Sequence, residues 1–128
     1  MGTSATALVL IAGASAFFLV MGIVALRRPE RVVAYFGTTS LTREGRNEVR
    51  AVYGGFGVAV AMLLLATLWS PALKPGVLAA VAASLGGMAA GRFLSALLDG
   101  SPAFVAWLFC VLELLLAGVL LFALALSA

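Results

Sequence analysis

Four long stretches of this chain carry almost no charge, and short polar segments divide them. The stretches cover about residues 5–26, 49–69, 77–98 and 103–126. A helix needs roughly 20 apolar residues to cross the hydrocarbon core of a bilayer, so each stretch is predicted to be one span. Within the last two, only Arg92 interrupts the third and only Glu113 the fourth. None alternates with a two-residue period, which argues against a β-barrel. The breaks are explicit: Pro71, Lys74, Pro75 and Gly76 end the second stretch, and Asp99-Gly100-Ser101-Pro102 ends the third. The pattern predicts an all-α polytopic membrane protein, a four-transmembrane-helix bundle in which residues 1–128 form a single domain.

The first stretch could be read as a secretory signal, because Ala14-Ser15-Ala16 resembles a cleavage site. No Lys or Arg precedes it, it continues past that point, and Arg27-Arg28 follow it. A retained span is therefore expected. The loop at 27–48 is the only sizeable polar segment. In it, Pro29 to Phe36 reads as a short amphipathic interfacial helix lying along the head groups, with Pro29 at its start and Gly37 at its end. Thr42 is placed to cap the helix that becomes the second span.

Charge sets the orientation. Arg27, Arg28, Arg31, Arg43, Arg46 and Arg50 gather around the first loop, and Arg92 lies toward the same side, whereas Lys74 alone marks the other. Positive loops stay cytoplasmic, so both termini are expected outside the cytoplasm of a bacterial inner membrane. The opening Met1-Gly2-Thr3-Ser4-Ala5-Thr6 fits an acylation pattern, but an outward terminus is out of a cytosolic transferase's reach, and the match is read as chance.

Composition narrows the chemistry further. The 128 residues are 64% hydrophobic and 10% charged, where a soluble domain would carry about 25% charged residues. The net charge of +3 does not point to nucleic acid, because the cations flank apolar segments instead of covering a soluble face. They are expected to meet lipid head groups, with Arg27, Arg28, Arg31, Arg43 and Arg46 as the candidate contacts. Histidine is absent and Cys110 is the single cysteine. That excludes a histidine-held haem, a cysteine-ligated iron–sulfur cluster, the usual zinc sites, a Ser-His-Asp triad and an internal disulfide. No cofactor or metal set is expected, and no catalytic residue is assigned.

Ionisable groups inside a span cost about 3 kcal/mol each on insertion scales and mark candidate sites. Arg92 lies about 9 Å inside the cytoplasmic end of the third span, and Glu113 about 15 Å from the same side, by helical rise. A long arginine side chain can bridge that difference if the two spans are neighbours. Asp99 and Ser95 fall on nearly the same face as Arg92. The bland reading is a structural ion pair, or an arginine that snorkels to the head groups. The sharper reading is a binding or proton-relay site.

Small residues form two further patterns. In the second span Arg43, Arg50, Gly54, Gly57 and Ala61 share a face, which reads as a packing seam with arginines at its mouth, or as a groove for an anionic head group. In the third span Ala83, Gly87, Gly91 and Ser95 recur every four residues, and they are expected to pack the second span within the monomer sooner than a second copy. The glycines at 54–57 are no phosphate loop, since no strand precedes them and no Lys-Ser or Lys-Thr follows. Trp69 and Trp107 read as interfacial anchors.

Together, Arg46-Asn47-Glu48-Val49-Arg50 with Tyr53-Gly54-Gly55, then Gly91-Arg92, Asp99-Gly100, Pro102 and a lone Glu113 make a pattern over nearly the whole chain. It resembles a bacterial family of small four-helix integral membrane proteins filed only as a domain of unknown function. The resemblance implies a four-span inner-membrane fold and supports grouping Arg50, Arg92, Asp99 and Glu113 as one intramembrane polar cluster. It implies no activity.

Three functions stay open. The first is a non-enzymatic binding or accessory membrane protein, with lipids, a second copy or a complex as partner. The second is a proton-coupled small-molecule transporter working as a homodimer. It resembles the small multidrug exporters in outline, but their key Glu lies in the first span and Glu113 in the last. The third is a membrane enzyme acting on a lipid or isoprenoid, which ranks last because no metal-binding DxxxD or DDxxD motif is present.

Overall fold

The computed structural model describes residues 4–127, so the first half of the acylation-like pattern, Met1 to Thr3, lies outside the described residues. The described chain is helical with short connections: α1 (Ala5–Arg27), α2 (Pro29–Ala34), α3 (Arg43–Ala66), α4 (Lys74–Asp99) and α5 (Phe104–Ala125). All but α2 are long and apolar enough to cross a membrane.

The helix ends follow from local chemistry. The Ser4 hydroxyl accepts from the Ala7 amide at 3.2 Å and starts α1, and the Thr42 hydroxyl accepts from the Gly45 amide at 3.0 Å and starts α3. The second span, α3, ends at Ala66, short of the expected residue 69, where the Thr67 hydroxyl donates back to the Leu64 carbonyl at 2.7 Å and the chain winds into turns. Pro75 sits in the first turn of α4, where its missing amide costs nothing.

Around the bundle the helices follow the order α3, α1, α5, α4. α1 packs intimately against α3 and also against α5, α4 packs against α5, and α3 and α4 touch only lightly. The tightest seam joins α1 to α3. A Cβ added at Gly22 would lie 2.8 Å from the Val58 amide nitrogen and 2.9 Å from the Gly54 carbonyl oxygen. One at Gly57 would lie 3.2 Å from the Gly22 Cα. Inside this seam the Ser15 hydroxyl donates to the Ala61 carbonyl at 2.8 Å.

Interior packing is uneven along the bundle. At the end that holds the α4 N-terminus, Ile11, Leu64, Leu78 and Leu120 are fully buried among Ala7, Ala82 and Ala123. At the other end, called here the basic end, Ala25, Val32, Val33 and Val49 make a second small cluster that anchors α2 beneath α1 and α3. The apolar face of α2 is therefore turned into the protein. Val32 and Val33 find an apolar partner in Ala25 and Val49, while Glu30 and Arg31 stay exposed on the opposite, polar face of this amphipathic helix. Much of the outer surface is large and apolar, with Val9, Leu97, Leu98, Leu115 and Phe122 all more than half exposed. Water would penalise that surface, whereas hydrocarbon accepts it.

The third span corrects one expectation. Ala83, Gly87, Gly91 and Ser95 are all exposed, and a Cβ at Gly87 or Gly91 would meet nothing within 4 Å. The inward face of α4 is carried by Leu78, Val81, Ala82, Leu85 and Ala89 instead. The reason is volume. α3 stands off from α4, so larger side chains fill the interior and the small ones turn outward.

Candidate functional site

Between the two packed clusters the bundle is hollow. A cavity of about 370 Å³ lies among α1, α3, α4 and α5 in the half toward the basic end, and α2 forms its floor. Its wall is aromatic and aliphatic. Phe17, Phe18 and Met21 face it from α1, Leu85 and Met88 from α4, and Phe109, Leu112 and Leu116 from α5.

The floor is built by Tyr35 and Phe36 at the end of α2. The Tyr35 ring lies 5.8 Å from that of Phe109, edge on, and the Phe36 ring lies 6.1 Å from Phe109 and 6.5 Å from Tyr53. These aromatic spacings are in the attractive range. They tie the loop to α3 and α5 across the mouth of the bundle.

The wall from α3 has an unusual backbone. Residues Arg50–Gly55 wind as a π-helical turn inside the otherwise α-helical span. Such turns occur mostly as single insertions within α-helices, often at functional sites. Here the turn carries Val52 and Tyr53, which line the cavity with Phe56 just beyond. It coincides with the close approach of Gly54 to α1, where an added Cβ would meet the Leu26 side chain at 2.7 Å.

One charged pair interrupts the apolar wall. The Arg92 guanidinium and Glu113 carboxylate meet side on: Nε donates to Oε1 at 3.0 Å and to Oε2 at 2.9 Å, and Nη2 donates to Oε1 at 2.7 Å. Glu113 is 6% exposed, while Arg92 is partly open and its guanidinium carbon lies 5.6 Å from the centre of the Phe109 ring. Bidentate geometry gives this pair both strength and direction, and the ring face adds a cation–π contact. Two groups that would each be costly in hydrocarbon thereby neutralise one another.

The other members of the expected cluster stand apart. Arg50 donates from Nε to the Leu26 carbonyl at 3.0 Å, satisfying the last turn of α1. Asp99 is exposed at the end of α4 and joins no ion pair among the described residues. Two helical turns separate it from Arg92, which α5 draws inward. Arg27, Arg28, Arg31 and Arg43 are exposed around the basic end, whereas Arg46 is half-buried. Arg46 donates to the Leu41 carbonyl at 2.9 Å and lies 3.6 Å from Glu30. Cys110 is buried, with its Sγ 4.0 Å from the Ala89 carbonyl oxygen. Trp69 is exposed at the end opposite the basic one. Trp107, near the basic end, donates to the Ser101 hydroxyl at 3.0 Å and stacks edge on against Phe93.

The aromatic lining was not singled out in the sequence, although a signal existed. Phe109 precedes Glu113 by one helical turn, and Tyr53 precedes Phe56 by three residues, so each pair shares a face. In a chain so rich in apolar residues, that spacing does not separate cavity from lipid.

Fold and site together define a small four-span helical protein with one ion pair set in the wall of an aromatic cavity. The chain belongs to the family described as a domain of unknown function (DUF4345), which matches over residues 6–124. No curated protein and no solved structure matches it.

Proposed function

We propose that this chain is a non-enzymatic binding protein of the bacterial inner membrane that takes an apolar or amphipathic small molecule from the surrounding lipid into its cavity. The proposal places the basic end in the cytoplasm and both termini on the other side, following the positive-inside rule.

The observation that carries the reading is the hollow half of the bundle. An engineered apolar cavity of about 150 Å³ stays dry and binds benzene. The space here, about 370 Å³, is more than twice that and falls within the range of small-molecule pockets. Its accessible wall residues include Val52, Tyr53 and Phe56 of α3 and Met88 of α4. They mark an opening where α3 and α4 stand apart, which in a bilayer faces hydrocarbon. A molecule dissolved in the membrane reaches such an opening without crossing water.

The transporter reading has less support. A carboxylate that carries protons has to exchange partners, and Glu113 is held by three hydrogen bonds from Arg92.

The test is photolabelling of the full chain in lipid nanodiscs with a long-chain alkyl diazirine probe. We expect saturable labelling of Phe56, Met88 or Phe109, and a several-fold loss in Met88→Trp, which fills the opening. Unsaturable labelling confined to outward residues such as Leu97 and Phe122 would reject the binding reading.

A further inference from the structure

We infer that the cavity selects an uncharged amphiphile whose head is a hydroxyl or carbonyl group, read by the Arg92–Glu113 pair. The inference rests on the binding reading above and adds the chemistry of the head.

The wall supplies charge only through this pair. Both residues line the cavity, and every other lining group is apolar, aromatic or a tyrosine. A tail therefore finds favourable contact along most of the space, and a polar head meets charged hydrogen-bonding groups in one place. At that place the charges already cancel. The Arg92 Nη2 and Glu113 Oε1 atoms are 2.7 Å apart, and the pair is mostly out of contact with solvent.

A charged head fares badly beside such a pair. An anion bonded to the guanidinium also lies close to the Glu113 carboxylate, and a cation bonded to the carboxylate lies close to the guanidinium. In low dielectric that repulsion is weakly screened. Displacing one partner to admit an ion leaves the other charge uncompensated in a buried site, a costly outcome.

A neutral head avoids both costs, and hydrogen-bonding capacity remains for it. Glu113 occupies Nε and Nη2 of Arg92, while Nη1 bonds to no acceptor among the described residues. Oε2 accepts a single bond, at 2.9 Å, and a carboxylate oxygen has room for a second. A carbonyl oxygen can accept from Nη1. A hydroxyl can accept from Nη1 in the same way, or donate to Oε2. Hydrogen bonds to charged groups are stronger than neutral ones, so the head is held firmly without adding net charge.

The experiment compares three diazirine probes with the same saturated chain, ending in a hydroxyl, a carboxylate or a primary ammonium group. Each is presented to the full chain in nanodiscs of zwitterionic lipid at neutral pH. We expect the alcohol to label cavity residues about tenfold more efficiently than either charged probe, a difference of about one hydrogen bond to a charged group. The double variant Arg92→Leu/Glu113→Leu should still be labelled by the alcohol, but several-fold more weakly than the unmodified chain, because the hydrogen bonds to the head are gone. Equal labelling by all three heads in the unmodified chain would overturn the head-group inference while leaving the binding reading intact. Preference for the carboxylate or the ammonium probe would overturn it too, and would show that the pair opens for an ion. Absence of cavity labelling by every probe would remove the binding reading along with it.

Discussion

Arg92 and Glu113 are unequal partners. Glu113 is buried, whereas Arg92 is on a longer, partly open side chain that can swing toward the mouth of the cavity. Removing the arginine should therefore cost more than neutralising the acid. We expect Arg92→Leu to destabilise by about 3 kcal/mol and Glu113→Gln by about 1 kcal/mol, with the double change recovering part of the sum. Reversible unfolding in mixed detergent micelles gives all three values, and strictly additive costs would show that the two groups do not depend on each other. Both residues stood out in the sequence because charge inside an apolar run is rare. Sequence alone left open whether they meet, since that depends on the relative rotation of α4 and α5. Asp99 shows the limit of the argument: it shares a helical face with Arg92, yet it projects at the end of the span and joins no pair among the described residues.

Among the elements, the glycines separate into two kinds that look alike in the sequence. Gly22 lies where two backbones nearly touch, and Gly87 faces open space. An added methyl at Gly22 has to displace the backbone of α3, so Gly22→Ala should cost about 1–3 kcal/mol. At Gly87 the same change should fall within about 0.5 kcal/mol of neutral. The same unfolding measurement decides this, and a large loss at Gly87 would mean that another helix covers that face. The four spans themselves were legible, because twenty uncharged apolar residues have few other uses. The π-helical turn at Arg50–Gly55 was not legible. Such turns insert an extra residue into an ordinary helical sequence, and here the turn coincides with the close contact with α1, which lies far away in the chain.

For the molecule as a whole, the packed end and the hollow end define a direction. The proposed orientation puts the hollow end toward the cytoplasm, and the native chain is suited to a test because its one cysteine, Cys110, is 2% exposed. An impermeant maleimide should react with Thr39→Cys only from the cytoplasmic side and with Ala72→Cys only from the other. The reverse pattern would invert the protein. Hydropathy and arginine placement made the number of spans and an expected direction readable. The cavity was not readable, because it follows from how far apart α3 and α4 stand, and no residue spacing encodes a distance between helices that barely touch.

That gap bears on how the protein folds. A soluble domain completes its interior with its own side chains, but here a stretch of wall is left for something else to complete. If a membrane-dissolved molecule fills it, that molecule is part of the interior, and every occupied copy gains stability by mass action. At a free concentration one hundred times its dissociation constant the gain is about 2.7 kcal/mol. The melting point of this protein would then report what its bilayer contains, and stripping the lipid during purification would remove part of the fold itself.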